Sequence, residues 1–267
     1  MRWIVASAQA ACLLASSAGA PAAAAPMVDA RYSVQTMGVA LGRATLQVDS
    51  AADGVTTRFQ FANDALLGLV EASDLRMRSL VAPGRGRVVP KSFEGTYSKD
   101  DRVREVGLDY GASGGIDGFE LVKRGRIRVA EVPSGLAAGT IDPLAALLQA
   151  RAWLDQAPEG AELAIPLFDG RKRYDATLRY LGLTQVAGAD ATAPAHKIAL
   201  RYQLVASLNE DTGKLEPEPA GRLREMELAV SADGRYVPLR LEGSLDGLPI
   251  TAVLSGDCAG PSGCAAE

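Results

Sequence analysis

Histidine is almost missing from this chain: His196 stands alone among 267 residues. Any catalytic constellation that needs one histidine as base and a second to spare is excluded, and so are histidine-rich zinc sites. Cysteine is nearly as scarce, with three in the sequence. The motifs GxSxG, HExxH and GxxxxGK[ST] are absent, which removes the nucleophile elbow, the zincin helix and the phosphate loop. No DxDxDG run with a closing Glu marks a calcium loop. Nor does charge of one sign accumulate: 28 basic residues face 32 acidic ones, a net −4. That balance leaves no electrostatic footprint for DNA, RNA or an anionic membrane face. Apolar runs all fall short of the ~20 residues that a transmembrane helix needs.

What is present begins with an export signal. Residues 1–26 read MRWIVASAQAACLLASSAGAPAAAAP. Arg2 supplies a short positive region, Ile4 to Ala18 a modestly apolar one, and Ala22-Ala23-Ala24 a small-x-small cleavage site. Cleavage is expected after Ala24, because a cut after Ala20 would leave Pro21 next to it. Residues 1–24 then form a signal peptide and residues 25–267 a single β-rich periplasmic domain. Losing Arg2 and no acid moves the net charge from −4 to −5. Cys12 falls in the signal, and Gln9-Ala10-Ala11 ahead of it is a poor lipidation site.

Cys258 and Cys264 remain, separated by Ala259-Gly260-Pro261-Ser262-Gly263. An exported chain with two cysteines is expected to pair them, here as a short staple on the C-terminal tail. The spacing is not that of a CxxC redox pair, and a zinc site would lack ligands.

The mature sequence reads mainly as strands. Val55, Thr57, Phe59 and Phe61 alternate on one face, and Val103–Tyr110 alternates similarly. Arg31–Asp49, 161–168, 174–180, 197–204, 223–230, 236–241 and 249–254 continue the theme. Asp53-Gly54, Asp117-Gly118, Asp169-Gly170, Asp233-Gly234 and Asp246-Gly247 read as turns. One segment breaks the rhythm. Asp142 can cap a helix, Pro143 suits its first position, and Leu144, Leu147, Leu148 and Leu154 would face the sheet. A second, weaker helical stretch is expected over Asp64–Met77, and Leu208–Gly221 reads as a long polar loop. His196, after Ala193-Pro194-Ala195, is expected at the start of a strand, partly exposed on its edge. The basic groups Lys123–Arg128 and Arg171-Lys172-Arg173 read as outward hairpin faces.

Two blocks carry a resemblance: Thr140–Leu147 and Ile165–Asp175, the latter spelling IPLFDGRKRYD. With Tyr32-Ser33-Val34 and Gly42 near the start and Asp233–Leu241 near the end, they resemble exported Gram-negative proteins catalogued as domain of unknown function number three thousand one hundred and eight. The resemblance spans about residues 30–256. It implies a curved or spiral antiparallel sheet, open-barrel-like, packed on one main helix at about 142–154. Its recurring positions fall on Asp142, Pro143, Asp169, Gly170, Arg173 and Tyr174, all of which serve as architecture in this reading. In style it is related to periplasmic envelope-integrity proteins and to lipoprotein carriers, whose concave sheets hold acyl chains under a helical lid.

The expectation is therefore a non-enzymatic envelope protein that binds a lipid or apolar ligand in a curved sheet, with no cofactor, metal site or catalytic residue. Two alternatives stand beside it: a structural protein that supports envelope integrity through protein contacts, and a carboxylate-based polysaccharide hydrolase with two acids facing each other in a cleft. Oligomeric state is not legible.

Overall fold

The computed structural model describes residues 27–63, 73–82, 88–99, 102–133, 139–187, 192–219, 223–245 and 247–259. The first half of the chain is a meander of β1 (Val28–Thr36), β2 (Val39–Ala51), β3 (Gly54–Asn63), β4 (Ser73–Val81), β5 (Pro90–Lys99), β6 (Arg102–Tyr110), β7 (Ile116–Lys123) and β8 (Arg126–Val129). A helix, α1 (Pro143–Leu154), follows. A second meander contains β9 (Glu162–Phe168), β10 (Lys172–Ala187), β11 (Thr192–Asn209), β12 (Lys214–Pro217), β13 (Arg224–Ser231), β14 (Pro238–Leu245) and β15 (Leu248–Asp257).

The two meanders are joined along a seam between β1 and β15, where Tyr32 faces Leu254 and Gln35 faces Thr251. The result is one antiparallel sheet in the order β8-β7-β6-β5-β4-β3-β2-β1-β15-β14-β13-β11-β10-β9, with β12 paired to β11 off this path. The chain is mainly β and the sheet is open, since β8 and β9 end it without sharing a ladder.

Packing curls the sheet until those two ends meet. Phe168 of β9 is fully buried among Phe93, Val106, Leu108, Phe119 and Leu121 of β5 to β7. Its ring centroid lies 6.0 Å from that of Phe119. The β11–β12 hairpin reaches the same place: Leu208 and Leu215 pack on this cluster, and Glu210 pairs with Arg104 of β6 (3.0 Å) and Lys123 of β7. Those two cations hold the Glu210 carboxyl below its ordinary pKa despite partial burial.

The helix lies inside the curl. Ala145, Ala146 and Leu154 pack with Val81 of β4 and with Ile165, Leu178, Tyr180 and Ile198 of β9 to β11. Leu147 and Leu148 turn to the cluster of β1 and β2, which holds Tyr32, Val34, Leu46 and Val48. A helix that is apolar on nearly every side has no solvent face to present, and here sheet surrounds it on several sides. Just before it, Ile141 forms a parallel bridge with Leu167, donating to Pro166 O (3.1 Å) and accepting from Phe168 N (3.0 Å). The edge of β9 is covered in that way.

Four expectations need correction. Ser73–Met77 is strand, not helix, because Leu75, Met77, Ser79 and Val81 alternate with charged residues along β4; residues 64–72 lie outside the described residues. Asp117-Gly118 is inside β7, with Gly118 facing Asp109, and the turn falls at Gly111–Gly115 instead. His196 is not at a strand edge: it pairs with Leu183 on one side and Val230 on the other. Its half-buried ring sits between Tyr180 and Tyr236, with Nδ1 2.9 Å from the Tyr180 hydroxyl. The stretch after Leu208, expected as a long polar hairpin loop, is a hairpin with a shorter loop, since β12 pairs with the end of β11.

Candidate functional site

The site is built from the helix cap upward. Asp142 is fully buried, and its Oδ1 accepts from the N–H groups of Leu144 (3.0 Å) and Ala145 (2.8 Å). Two of the donors that a helix N-terminus leaves unsatisfied are thereby paired. The other carboxylate oxygen accepts from the Ser79 hydroxyl of β4 at 3.1 Å. Burial outweighs these hydrogen bonds and raises the Asp142 pKa to about 6. The Tyr110 phenol lies beside the same carboxyl, and burial together with that charge raises its pKa above the tyrosine range. Pro143 follows as the first helical residue, where its missing N–H costs nothing. The helix N-terminus is thus fastened to β4 at a fixed height inside the sheet.

Beneath this anchored end lies a cavity of about 440 Å³. Strand alternation supplies its walls: Tyr32 and Val34 from β1, Ala44 and Leu46 from β2, Phe59 and Phe61 from β3, and Met77 from β4. Leu228 of β13, Leu241 of β14 and Ile250 and Ala252 of β15 close the opposite side, with Pro143, Leu144 and Leu147 above. The intervening residues point outward, and Thr45, Gln47, Arg58, Gln60, Arg76 and Arg78 line a polar depression on the outer surface.

One charged side chain, Arg240, belongs to the lining, next to the ring residue Tyr32. Arg240 hydrogen-bonds Glu242 and is partly exposed. The Tyr32 hydroxyl is buried without a hydrogen-bond partner, and desolvation with nearby Asp257 raises its pKa beyond the usual tyrosine value. No carboxylate is among the lining residues.

The two resembling blocks come together through the Ile141–Leu167 bridge, which sets Asp142-Pro143 near the end of β9. Asp169 Oδ1 accepts from Arg171 N (2.8 Å) and Lys172 N (2.7 Å), closing the β9–β10 turn, while its carbonyl accepts from the Tyr97 hydroxyl (3.0 Å). Burial raises the Asp169 pKa. Gly170 has φ +89, and a Cβ there would lie 2.0 Å from Val106 Cγ1. A side chain is therefore barred both by conformation and by space. Arg173 pairs with Asp175 at 3.1 Å, and the Tyr174 ring meets that of Tyr202 edge-on at 6.1 Å. None of these four lines the cavity; Asp169 and Gly170 set the β9–β10 turn against β5 and β6. Cys258 donates its backbone N–H to Asp29 O (2.7 Å), and Cys264 lies outside the described residues.

Sequence reading sets Phe59 and Phe61 on one strand face and Leu144 and Leu147 on the helix face toward the sheet, and all four line the cavity. It missed Met77, whose strand alternation was present but overlooked, and it could not pair β1 with β15.

A family model described as "Protein of unknown function (DUF3108)" matches residues 31–247. None of the curated proteins matches the chain. Among solved structures, a beta-barrel-like protein of a domain of unknown function (DUF1849) from Brucella abortus is 11% identical, with a TM-score of 0.55 over 86% of this chain and 97% of that one. That likeness is one of fold. The hypothetical lipoprotein YmcC from Escherichia coli (K12) is 10% identical, with a TM-score of 0.36 over 85% of this chain and 84% of its own. A putative lipoprotein from Parabacteroides distasonis is 11% identical, with a TM-score of 0.31 over 87% and 96%.

Proposed function

The chain belongs to the DUF3108 family, and on that premise we propose that it is an exported, non-enzymatic envelope protein that holds an acyl chain inside its curled sheet. The observation that carries this reading is the cavity of about 440 Å³ under the helix N-terminus, walled by apolar side chains. Its size falls within the range of small-molecule sites. An apolar ligand there removes the apolar walls from water, which stabilises the complex by about 25 cal/mol per Å² covered. A sugar or a nucleotide would find a single charged side chain, Arg240, in an otherwise apolar lining and would leave most of its hydroxyls unpaired, at a cost of about 1–3 kcal/mol each. An alkyl chain meets no such cost.

Arg240 then serves as the polar contact that orients one end of the ligand. Export to the periplasm fits the N-terminal signal, and the expected Cys258–Cys264 staple fits an oxidising compartment.

A fluorescent fatty acid, dansyl-labelled undecanoic acid, tests the reading. Saturable one-to-one binding with a blue-shifted emission is expected, and Ala252→Phe should abolish it by occupying the cavity. Emission indistinguishable from that with the urea-unfolded chain would refute it.

A further inference from the structure

The hairpin tips of the sheet are not equivalent at its two ends. The tips β1–β2, β5–β6, β7–β8 and β14–β15 share one end, as alternation of strand direction requires. Among the described residues the exposed large apolar side chains gather there: Met37 and Val39, Val103, Ile127, Leu223 and Leu248, with Met27, Leu181 and Leu183 elsewhere. Met37 is 75% exposed and Leu248 51%. Turn chemistry makes Met37 stand out. It occupies the first of the two central positions of the β1–β2 turn with φ +47, and Gly38 follows at φ +79. Such a turn favours Asn-Gly, and a long apolar side chain in the left-handed region is disfavoured both by conformation and by exposure to water.

These tips also border the cavity. Val34 stands three residues before Met37, Ile250 two residues after Leu248, and both line the cavity. The Thr36 hydroxyl donates to Pro249 O at 2.6 Å, so the β1–β2 and β14–β15 tips are tied to each other beside that lining. At the β7–β8 tip Arg124, Arg126 and Arg128 are exposed around Ile127, and their stems suit an interface between acyl tails and phosphates.

From this arrangement we propose that the β1–β2 and β14–β15 tips insert into a phospholipid bilayer, with Met37, Val39 and Leu248 as the inserting side chains, so that the cavity opens onto the membrane. The proposal rests on the acyl-chain reading for its purpose but on separate residues for its contacts. Continuity with the cavity favours a bilayer over a protein partner, because a lipid that enters the cavity must leave a membrane at the point of entry. The net negative charge of the chain supplies no long-range attraction, so the apolar side chains carry most of the contact and the arginines of the β7–β8 tip add a local, salt-dependent part.

Flotation of the protein with vesicles of phosphatidylethanolamine and phosphatidylglycerol is the test. The natural sequence should float with the vesicles, and Met37→Asn with Leu248→Gln should lower the partition coefficient about tenfold. Met37→Asn alone should raise Tm while weakening partition, a combination that a purely structural role for Met37 would not produce. Ala252→Phe should float as the natural sequence does while losing the fatty-acid probe. Probe binding without flotation would overturn the docking proposal and leave the cavity reading standing; flotation without probe binding would do the reverse. Equal flotation of the double variant and the natural sequence would also overturn it.

Discussion

The Ser79 hydroxyl in the middle of β4 donates 3.1 Å to Asp142, the residue that caps the helix. The helix N-terminus, the roof of the cavity and one of its walls are held together by that contact. Both residues are fully buried. Removing either partner leaves the other without its match at the point where the helix enters the sheet.

The first prediction concerns pH. Burial raises the Asp142 pKa from 3.8 to about 6. The folded state therefore holds this proton more tightly than the unfolded chain. The resulting stabilisation is fully present below about pH 4 and is lost as pH rises through about 6, a change of up to about 3 kcal/mol. Asp142→Asn keeps a capping side chain without the titration. Urea unfolding from pH 4 to 7.5 should show the difference between the natural sequence and Asp142→Asn widening with pH in favour of the variant. A difference independent of pH would count against a buried, titrating cap.

Loss of the Ser79 contact is the second. Ser79→Ala deprives Asp142 Oδ2 of its donor in a site without water-exposed surface, and an expected cost of about 1–3 kcal/mol follows. Because the helix roofs the cavity, binding of the dansyl probe should weaken along with stability, as a parallel fluorescence titration would register.

Gly170 gives the third. Alanine there requires a left-handed backbone and places Cβ 2.0 Å from Val106 Cγ1. Gly170→Ala should destabilise the protein by about 2–4 kcal/mol in urea unfolding. Adding Val106→Ala removes the closest contact but leaves Val106 Cβ 2.9 Å away, so it should recover only part of the loss, with the conformational cost of about 1 kcal/mol also remaining. No recovery would mean that the β9–β10 turn does not rest on β6.

The fourth concerns the tail. Thiol alkylation followed by intact mass measurement should find Cys258 and Cys264 paired in the exported protein, with Ala25 as the first residue. A ring this small restrains the unfolded chain little, so replacing both cysteines by serine should cost about 2 kcal/mol or less. Two alkylated thiols in the exported protein would contradict the staple.

Much of this architecture was legible in the residues. Asp142-Pro143 ahead of Leu144, Ala145 and Ala146 announces a helix start by capping chemistry alone, and the helix begins at Pro143. The alternation of Thr57, Phe59 and Phe61 marks an inward face. Local signals failed where two periods competed: Leu66, Leu67, Leu69 and Val70, outside the described residues, carry helical spacing ahead of Leu75 and Met77, and that spacing hid the period of two in β4. Asp117-Gly118 misled because turn-forming residues are tolerated inside a strand. The cavity itself was illegible for a different reason. Tyr32 and Ile250 meet only because β1 and β15, the two ends of the fold, form a ladder, and nothing local encodes that register. Ser79 reads as an ordinary strand residue until the curl sets Asp142 against it.

The central claim is that the space under the helix takes an acyl chain. Native mass spectrometry of the protein purified from the cells that produce it naturally, followed by organic extraction, tests it most directly. The account predicts a bound species of lipid mass that extraction releases and that is missing from Ala252→Phe. A clean unliganded mass for the natural sequence, together with no uptake of the dansyl fatty acid, would contradict it.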